Sequence, residues 1–169
     1  MYSTQTTYSV EKHKQLSVLV FKMKLVPYMI KVEILFILVT IVGYFTNPFL
    51  LEIGIGVTVL TPIALMVSHR IKQKKLYKNY PSVQRQPTLK FVFEEDYFNF
   101  ERLDETVSTS KVIYSDVYMC AEDHYNFYLF LNPVMAYIVD KTGFGEDKIG
   151  DVREFLKSKI NKTKLLKNK

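Results

Sequence analysis

The sequence predicts an α+β protein with transmembrane helices: a two-helix membrane hairpin, then a small antiparallel curled sheet closed by a helix. Three observations predict it. Residues 34–67 are almost wholly apolar, although hydropathy averaged over the chain is zero. Residues 88–140 show short runs with the two-residue period of strands, separated by turn residues. Ile149, Val152, Phe155, Leu156 and Ile160 recur at spacings of three and four, the mark of an amphipathic helix.

The apolar stretch has two parts, Ile34–Phe45 and Ile53–Val67. Crossing a bilayer takes about 20 helical residues. The first part reaches that length from Met29, with Lys31 and Glu33 at the interface. The second reaches it from Phe49 to Ser68, with Glu52 near the outer surface. Asn47-Pro48 reads as a tight turn between them. Pro62 lies inside the second helix, where neighbouring helices make it tolerable. A buried helical hairpin inside a soluble protein is the alternative.

Charge placement favours the membrane. Lys12, Lys14, Lys22, Lys24 and Lys31 precede the hairpin, and Arg70, Lys72, Lys74, Lys75 and Lys78 follow it. The turn carries no basic residue. Basic residues stay on the cytoplasmic side of membrane helices, so both termini are expected in the cytoplasm of a multi-pass protein of the cell membrane.

Four segments result: an N-terminal cytoplasmic segment (1–28), the transmembrane hairpin (29–68), a basic juxtamembrane connector (69–87) and a cytoplasmic domain (88–169). Residues 1–10 read as an extended arm, with Ser9 capping a helix from Val10. Residues 16–27 fit either an interfacial helix or the first element of the soluble fold. In the domain, Leu89–Phe93 and Tyr97–Arg102 read as a hairpin. Strands are expected over Thr106–Tyr114, Val117–Glu122, Asn126–Leu131 and Ala136–Asp140, with a bend at Ser115-Asp116.

The order Tyr114-Ser-Asp-Val117, Phe127-Tyr-Leu-Phe-Leu131, Ala136-Tyr-Ile-Val-Asp-Lys-Thr-Gly-Phe144, then an amphipathic helix, resembles the YcxB-like family. That resemblance implies a bacterial protein with two membrane helices and a cytoplasmic domain of pleckstrin-homology-like (PH-like) fold. The family's last-strand signature usually has Pro before the Lys and a basic residue after it. This chain has Asp140 and Thr142 at those positions. The resemblance implies no activity.

Chemistry is sparse. His13, His69 and His124 lie in separate segments without ligand spacing, so neither a metal nor another cofactor is expected. Cys120 is the only cysteine and reads as a small buried side chain. The acidic clusters Glu94-Glu95-Asp96, Glu122-Asp123 and Glu146-Asp147 read as solvated turn charge. Residues 69–90 hold seven basic and no acidic side chains, residues 91–154 five basic and fourteen acidic, and residues 155–169 six basic and no acidic. An acidic body between basic flanks excludes a nucleic-acid domain.

The expectation is a non-catalytic membrane-anchored adaptor whose partners are the lipid bilayer and a protein or a second copy of the chain. One alternative is an anionic-lipid sensor using Arg70, Lys72, Lys74, Lys75 and Lys78, since juxtamembrane basic clusters attract anionic head groups. The other is an accessory subunit of a membrane transport complex.

Overall fold

The computed structural model describes residues 1–79, 85–104, 109–161 and 163–165. The chain divides into two compact units, one of residues 1–16 with 81–169, the other of residues 17–80.

The helical unit begins within α1 (Val10–Val20), which runs through one π-helical turn (Phe21–Leu25) into α2 (Val26–Thr46). Helix α3 spans Pro48–Asn79. Residues 16–27 are thus helical. The turn at Asn47 does two jobs. Its backbone is extended, and its N–H bonds the Gly43 carbonyl at 2.9 Å to end α2. Its Oδ1 accepts the Phe49 N–H at 2.9 Å and so caps α3. Pro48 costs nothing at the first helical position, where its missing N–H would have had no intrahelical partner.

Among the described residues, two helices are long and apolar enough to cross a membrane: Val10–Thr46, including the π turn, and Leu51–Lys75. Only 6% of each apolar stretch is buried within the chain, which is the opposite of a core helix in a soluble protein. The hydroxyls of Thr40, Thr46, Thr58 and Ser68 donate to carbonyls of their own helices at 2.8–2.9 Å, at Phe36, Val42, Gly54 and Leu65 respectively. Helices α2 and α3 meet closely at Gly54, where a Cβ would fall 2.4 Å from Thr40 Oγ1.

The other unit holds two four-stranded sheets. The first is antiparallel, in the order β1 (Tyr2–Thr7), β2 (Thr88–Phe93), β3 (Tyr97–Arg102) and β4 (Thr109–Ile113). The second has the order β7 (Ala136–Asp140), β6 (Asn126–Phe130), β5 (Met119–Glu122) and β8 (Thr163–Leu165), with β8 parallel to β5. Helix α4 (Ile149–Lys159) precedes β8. Among the described residues, the sheets do not close into a barrel. A short 3₁₀ turn over Tyr114–Asp116 provides the expected bend. The start of the expected third strand, 106–108, lies outside the described residues.

The core is aromatic. Phe91, Phe93, Phe98, Phe127, Tyr128 and Phe130 are at most 1% exposed. Phe144 bridges the sheets, 5.9 Å from Phe93 and 6.4 Å from Phe127 between ring centroids. Val152, Leu156 and Ile160 present the apolar stripe of α4 and are buried. Such burial contributes roughly 1.5–3 kcal/mol per large side chain.

Two features depart from the sequence reading. The first ten residues are not merely an arm: residues 2–7 form β1, paired with β2 in a register from Tyr2↔Phe93 to Thr7↔Thr88. Residues 1–16 therefore share a compact unit with the chain that follows the hairpin. Strand β8 was not expected. It is three residues long, too short to show an alternating pattern.

Candidate functional site

Strand β1 is joined to both sheets. Its backbone pairs with β2, while the alternate side chains Thr4, Thr6 and Tyr8 turn inward and are buried. These three meet the backbone of β7. Thr4 Oγ1 donates to the Asp140 carbonyl at 2.9 Å. The Asp140 N–H donates to Thr6 Oγ1 at 2.8 Å, and the Ile138 N–H donates to Tyr8 Oη at 2.8 Å. Side chains thus satisfy polar groups at the edge of the second sheet, where a neighbouring strand would otherwise do so. The approach is close enough that a Cβ at Gly143 would fall 2.2 Å from Thr4 Oγ1. Burial pushes the Tyr8 phenol far above its ordinary range, so it stays neutral and can accept the Ile138 bond.

The first turns of α1 are fastened to the same place. Ser9 Oγ caps the helix by accepting the Lys12 N–H at 3.3 Å. The Lys12 ammonium pairs with the Asp140 carboxylate. Asn126 Nδ2 donates to Gln15 Oε1 at 3.0 Å. Asp140 also accepts the Thr142 N–H at 2.9 Å and its hydroxyl at 2.7 Å. Burial pushes the Asp140 carboxyl up, but hydrogen bonds from Lys12 and Thr142 outweigh it and hold the group below the usual carboxylate range.

A second polar cluster lies inside the domain. Glu122 on β5 is 6% exposed, which corrects its reading as solvated turn charge. Arg153 on α4 grips its carboxylate through Nε at 2.8 and 3.0 Å and through Nη2 at 2.6 Å. Lys141, also buried, pairs with Glu122 Oε1 at 2.7 Å and donates to the carbonyls of Asp123 and His124. Burial alone would raise the Glu122 carboxyl. The Arg153 and Lys141 bonds overcome that and leave it below the ordinary range. Glutamate, lysine and arginine lie on β5, after β7 and on α4, so the cluster clamps helix to sheet. The neighbour Asp123 organises the β5–β6 turn, accepting the N–H groups of Tyr125 and Asn126 and the Tyr128 hydroxyl.

The basic residues Arg70, Lys72, Lys74 and Lys75 are exposed along the last third of α3. Lys78 is on the same helix. The four-residue spacing of Arg70 and Lys74 places them along one side. The histidines lie apart: His13 beside Tyr8, His69 beside Phe21 and His124 beside Tyr125. Cys120 is buried, and burial pushes its thiol up to about 12, far from a reactive thiolate. A polar cleft of about 370 Å³ lies between Ser3, Gln5, Lys90 and Thr142.

Residues 93–156 match the YcxB-like protein family. No curated protein and no solved structure matches the chain. The YcxB-like region holds β3 to β7 and most of α4, including Glu122, Lys141 and Arg153. It begins at the last residue of β2 and contains neither β1 nor β8. The folded unit is therefore larger than the YcxB-like region, and its missing pieces come from both flanks. Within this region Asp140 takes Lys12, and Thr142 bonds Asp140.

Sequence reasoning missed the β1 stitch and the buried triad for different reasons. The alternation of Thr4, Thr6 and Tyr8 was a usable strand signal. Nothing local marked Glu122 as buried, because Arg153 is 31 residues away.

Proposed function

We propose that this chain is a two-pass membrane protein acting as a non-catalytic adaptor, with its folded domain and both ends on the cytoplasmic side. The pairing of β1 with β2 carries the reading. One strand precedes the hairpin and the other follows it, and paired strands must lie on one side of a bilayer. The hairpin then crosses an even number of times. The lysine and arginine clusters on both flanks, with none in the turn, support the cytoplasm as that side.

Four antiparallel strands, three more, then a helix support the PH-like kinship of the domain. The non-catalytic reading is supported by the way its buried ionisable groups are used. Glu122, Lys141 and Arg153 satisfy one another, and Cys120 is held as a thiol.

Two experiments test this. In a Cys120→Ser background, an impermeant maleimide applied to intact cells labels Asn47→Cys and leaves Ser3→Cys unlabelled; the reverse pattern refutes the orientation. For the adaptor role, the full chain purified in lipid discs carries a protein at reproducible stoichiometry. A chain that is always recovered alone removes that role.

The exposed basic run of α3 favours a second reading, an anionic-lipid sensor, at about 1 kcal/mol per cationic residue near the surface. Reconstituted chain would then orient differently on anionic and neutral vesicles. Identical domain accessibility to protease on both excludes it.

A further inference from the structure

Sheet edges of the second sheet are treated differently. The β7 edge is closed by the inward side chains of β1, as described above. Among the described residues, the β5 edge is closed by β8, a strand of three residues paired in parallel as Cys120↔Thr163, Ala121↔Lys164 and Glu122↔Leu165. Parallel pairing is the weaker kind per residue, and three residues are the lower limit of strand length. By contrast, β5 meets β6 in a four-pair antiparallel ladder from Met119↔Phe130 to Glu122↔Phe127. Strand β5 is itself rigidly held: all four of its residues are buried, and α4 is clamped to it through Glu122 and Arg153.

Charge adds a second observation. Residues 91–154 carry five basic and fourteen acidic side chains, whereas residues 155–169 carry six basic and none acidic. Residues 161–169, which include the strand on the β5 edge, hold four of those lysines and no acidic residue, whereas residues 91–154 are net acidic. Ile160, buried at 2% exposure, anchors the end of α4 and feeds the chain onto that edge after a very short link. A segment tethered this closely has an effective concentration of about millimolar, enough to hold a weak strand in place.

We propose that the β5 edge is a strand-addition site for an extended basic segment of a partner protein, and that residues 163–165 are the chain's own occupant, displaced when the partner docks. The backbone ladder of β5 supplies affinity and the acidic body selects a basic strand. This deepens the adaptor reading and rests on it. The bond between Glu122 and Arg153 keeps the edge in place while the occupant changes.

The test uses the full chain in lipid discs, a version lacking residues 163–169, and a fluorescent peptide of residues 161–169 as the probe. The peptide binds the shortened chain at least about tenfold more tightly than the full chain, whose edge is occupied. The same peptide N-methylated at Thr163, Lys164 and Leu165 keeps its charge but loses its ladder donors, and its binding is lost. Equal binding to both chains, no binding to the shortened chain, or binding that survives N-methylation overturns the proposal. Hydrogen exchange on the unshortened chain gives a reading independent of truncation. Those β5 amides that face β8 exchange at least about tenfold faster than the amides of β6; equal protection overturns a displaceable strand. Dimerisation of the full chain that disappears on removing 163–169 would assign the edge to a second copy and also overturn it. None of these outcomes depends on whether a partner co-purifies, so the adaptor role stands or falls separately.

Discussion

The Asp140 N–H donates to the hydroxyl of Thr6 across 134 residues of sequence, and between the two lies the whole membrane hairpin. One hydrogen bond thus joins chain that precedes both apolar helices to chain that follows them. Thr4 and Tyr8 repeat the arrangement on either side.

Replacing Thr6 with Val keeps the shape and removes the acceptor. The Asp140 N–H is then buried without a partner, which costs about 1–3 kcal/mol. Thr6→Ser restores the acceptor and most of the stability. Urea unfolding of the solubilised chain, followed by tyrosine fluorescence because the chain has no tryptophan, measures both. A Thr6→Val midpoint equal to that of the parent contradicts the stitch.

The Glu122 triad predicts a larger loss. Glu122→Gln leaves Lys141 and Arg153 without their shared carboxylate in a buried site, a loss of about 3–5 kcal/mol. The same groups set the acid response. Glu122 and Asp140 have folded-state values below their ordinary 4.5 and 3.8. Each therefore stabilises the fold fully above its unfolded value and loses that contribution as pH falls through the folded one. Stability should fall as the pH drops below about 4.5, and less steeply in Glu122→Gln. Unfolding midpoints between neutral and acid pH decide it; parallel curves for parent and variant contradict the assignment.

Cys120 should be inert until the domain opens. A thiol moved from 9.0 to about 12 has roughly a thousandfold less thiolate at a given pH below both values. Maleimide modification at pH 8 should be slow in the native chain and rapid in urea. Rapid native modification contradicts the burial.

In the hairpin, Gly54 faces Thr40 without room for a side chain. Gly54→Leu should separate α2 from α3, seen as altered migration of the hairpin in mild detergent and loss of a crosslink between cysteines placed across that contact. Gly54→Ala is milder, and Thr40→Ala relieves it in part. Unchanged crosslinking in Gly54→Leu refutes the close approach.

Much of this architecture is legible in the residues. The two apolar runs, the Asn47-Pro48 turn, the strand Ala136–Asp140 and the stripe from Ile149 to Ile160 depend on local pattern, and the structure places them within a few residues. Pairing between distant segments is less legible. Thr4, Thr6 and Tyr8 alternate correctly for a strand, but their partner is 80 residues or more away, and no local rule links them. Glu122 looks like turn charge because its neighbours Asp123 and His124 are in a turn. Its burial comes from Lys141 and Arg153, brought together only by the fold. The basic run at 70–78 is plain in the sequence, and the fold adds that its described side chains are exposed on one helix.

The most direct measurement crosslinks Thr7 to Thr88, whose hydroxyls are 3.0 Å apart in the β1–β2 register. In a Cys120→Ser background, Thr7→Cys with Thr88→Cys should form a disulfide in the membrane-embedded chain and migrate faster on a non-reducing gel. Thr7→Cys paired with Ile113→Cys, on the far edge strand, should not. Failure of the first pair to close under oxidising conditions, in chain that is otherwise folded, would contradict a domain built from both sides of the hairpin.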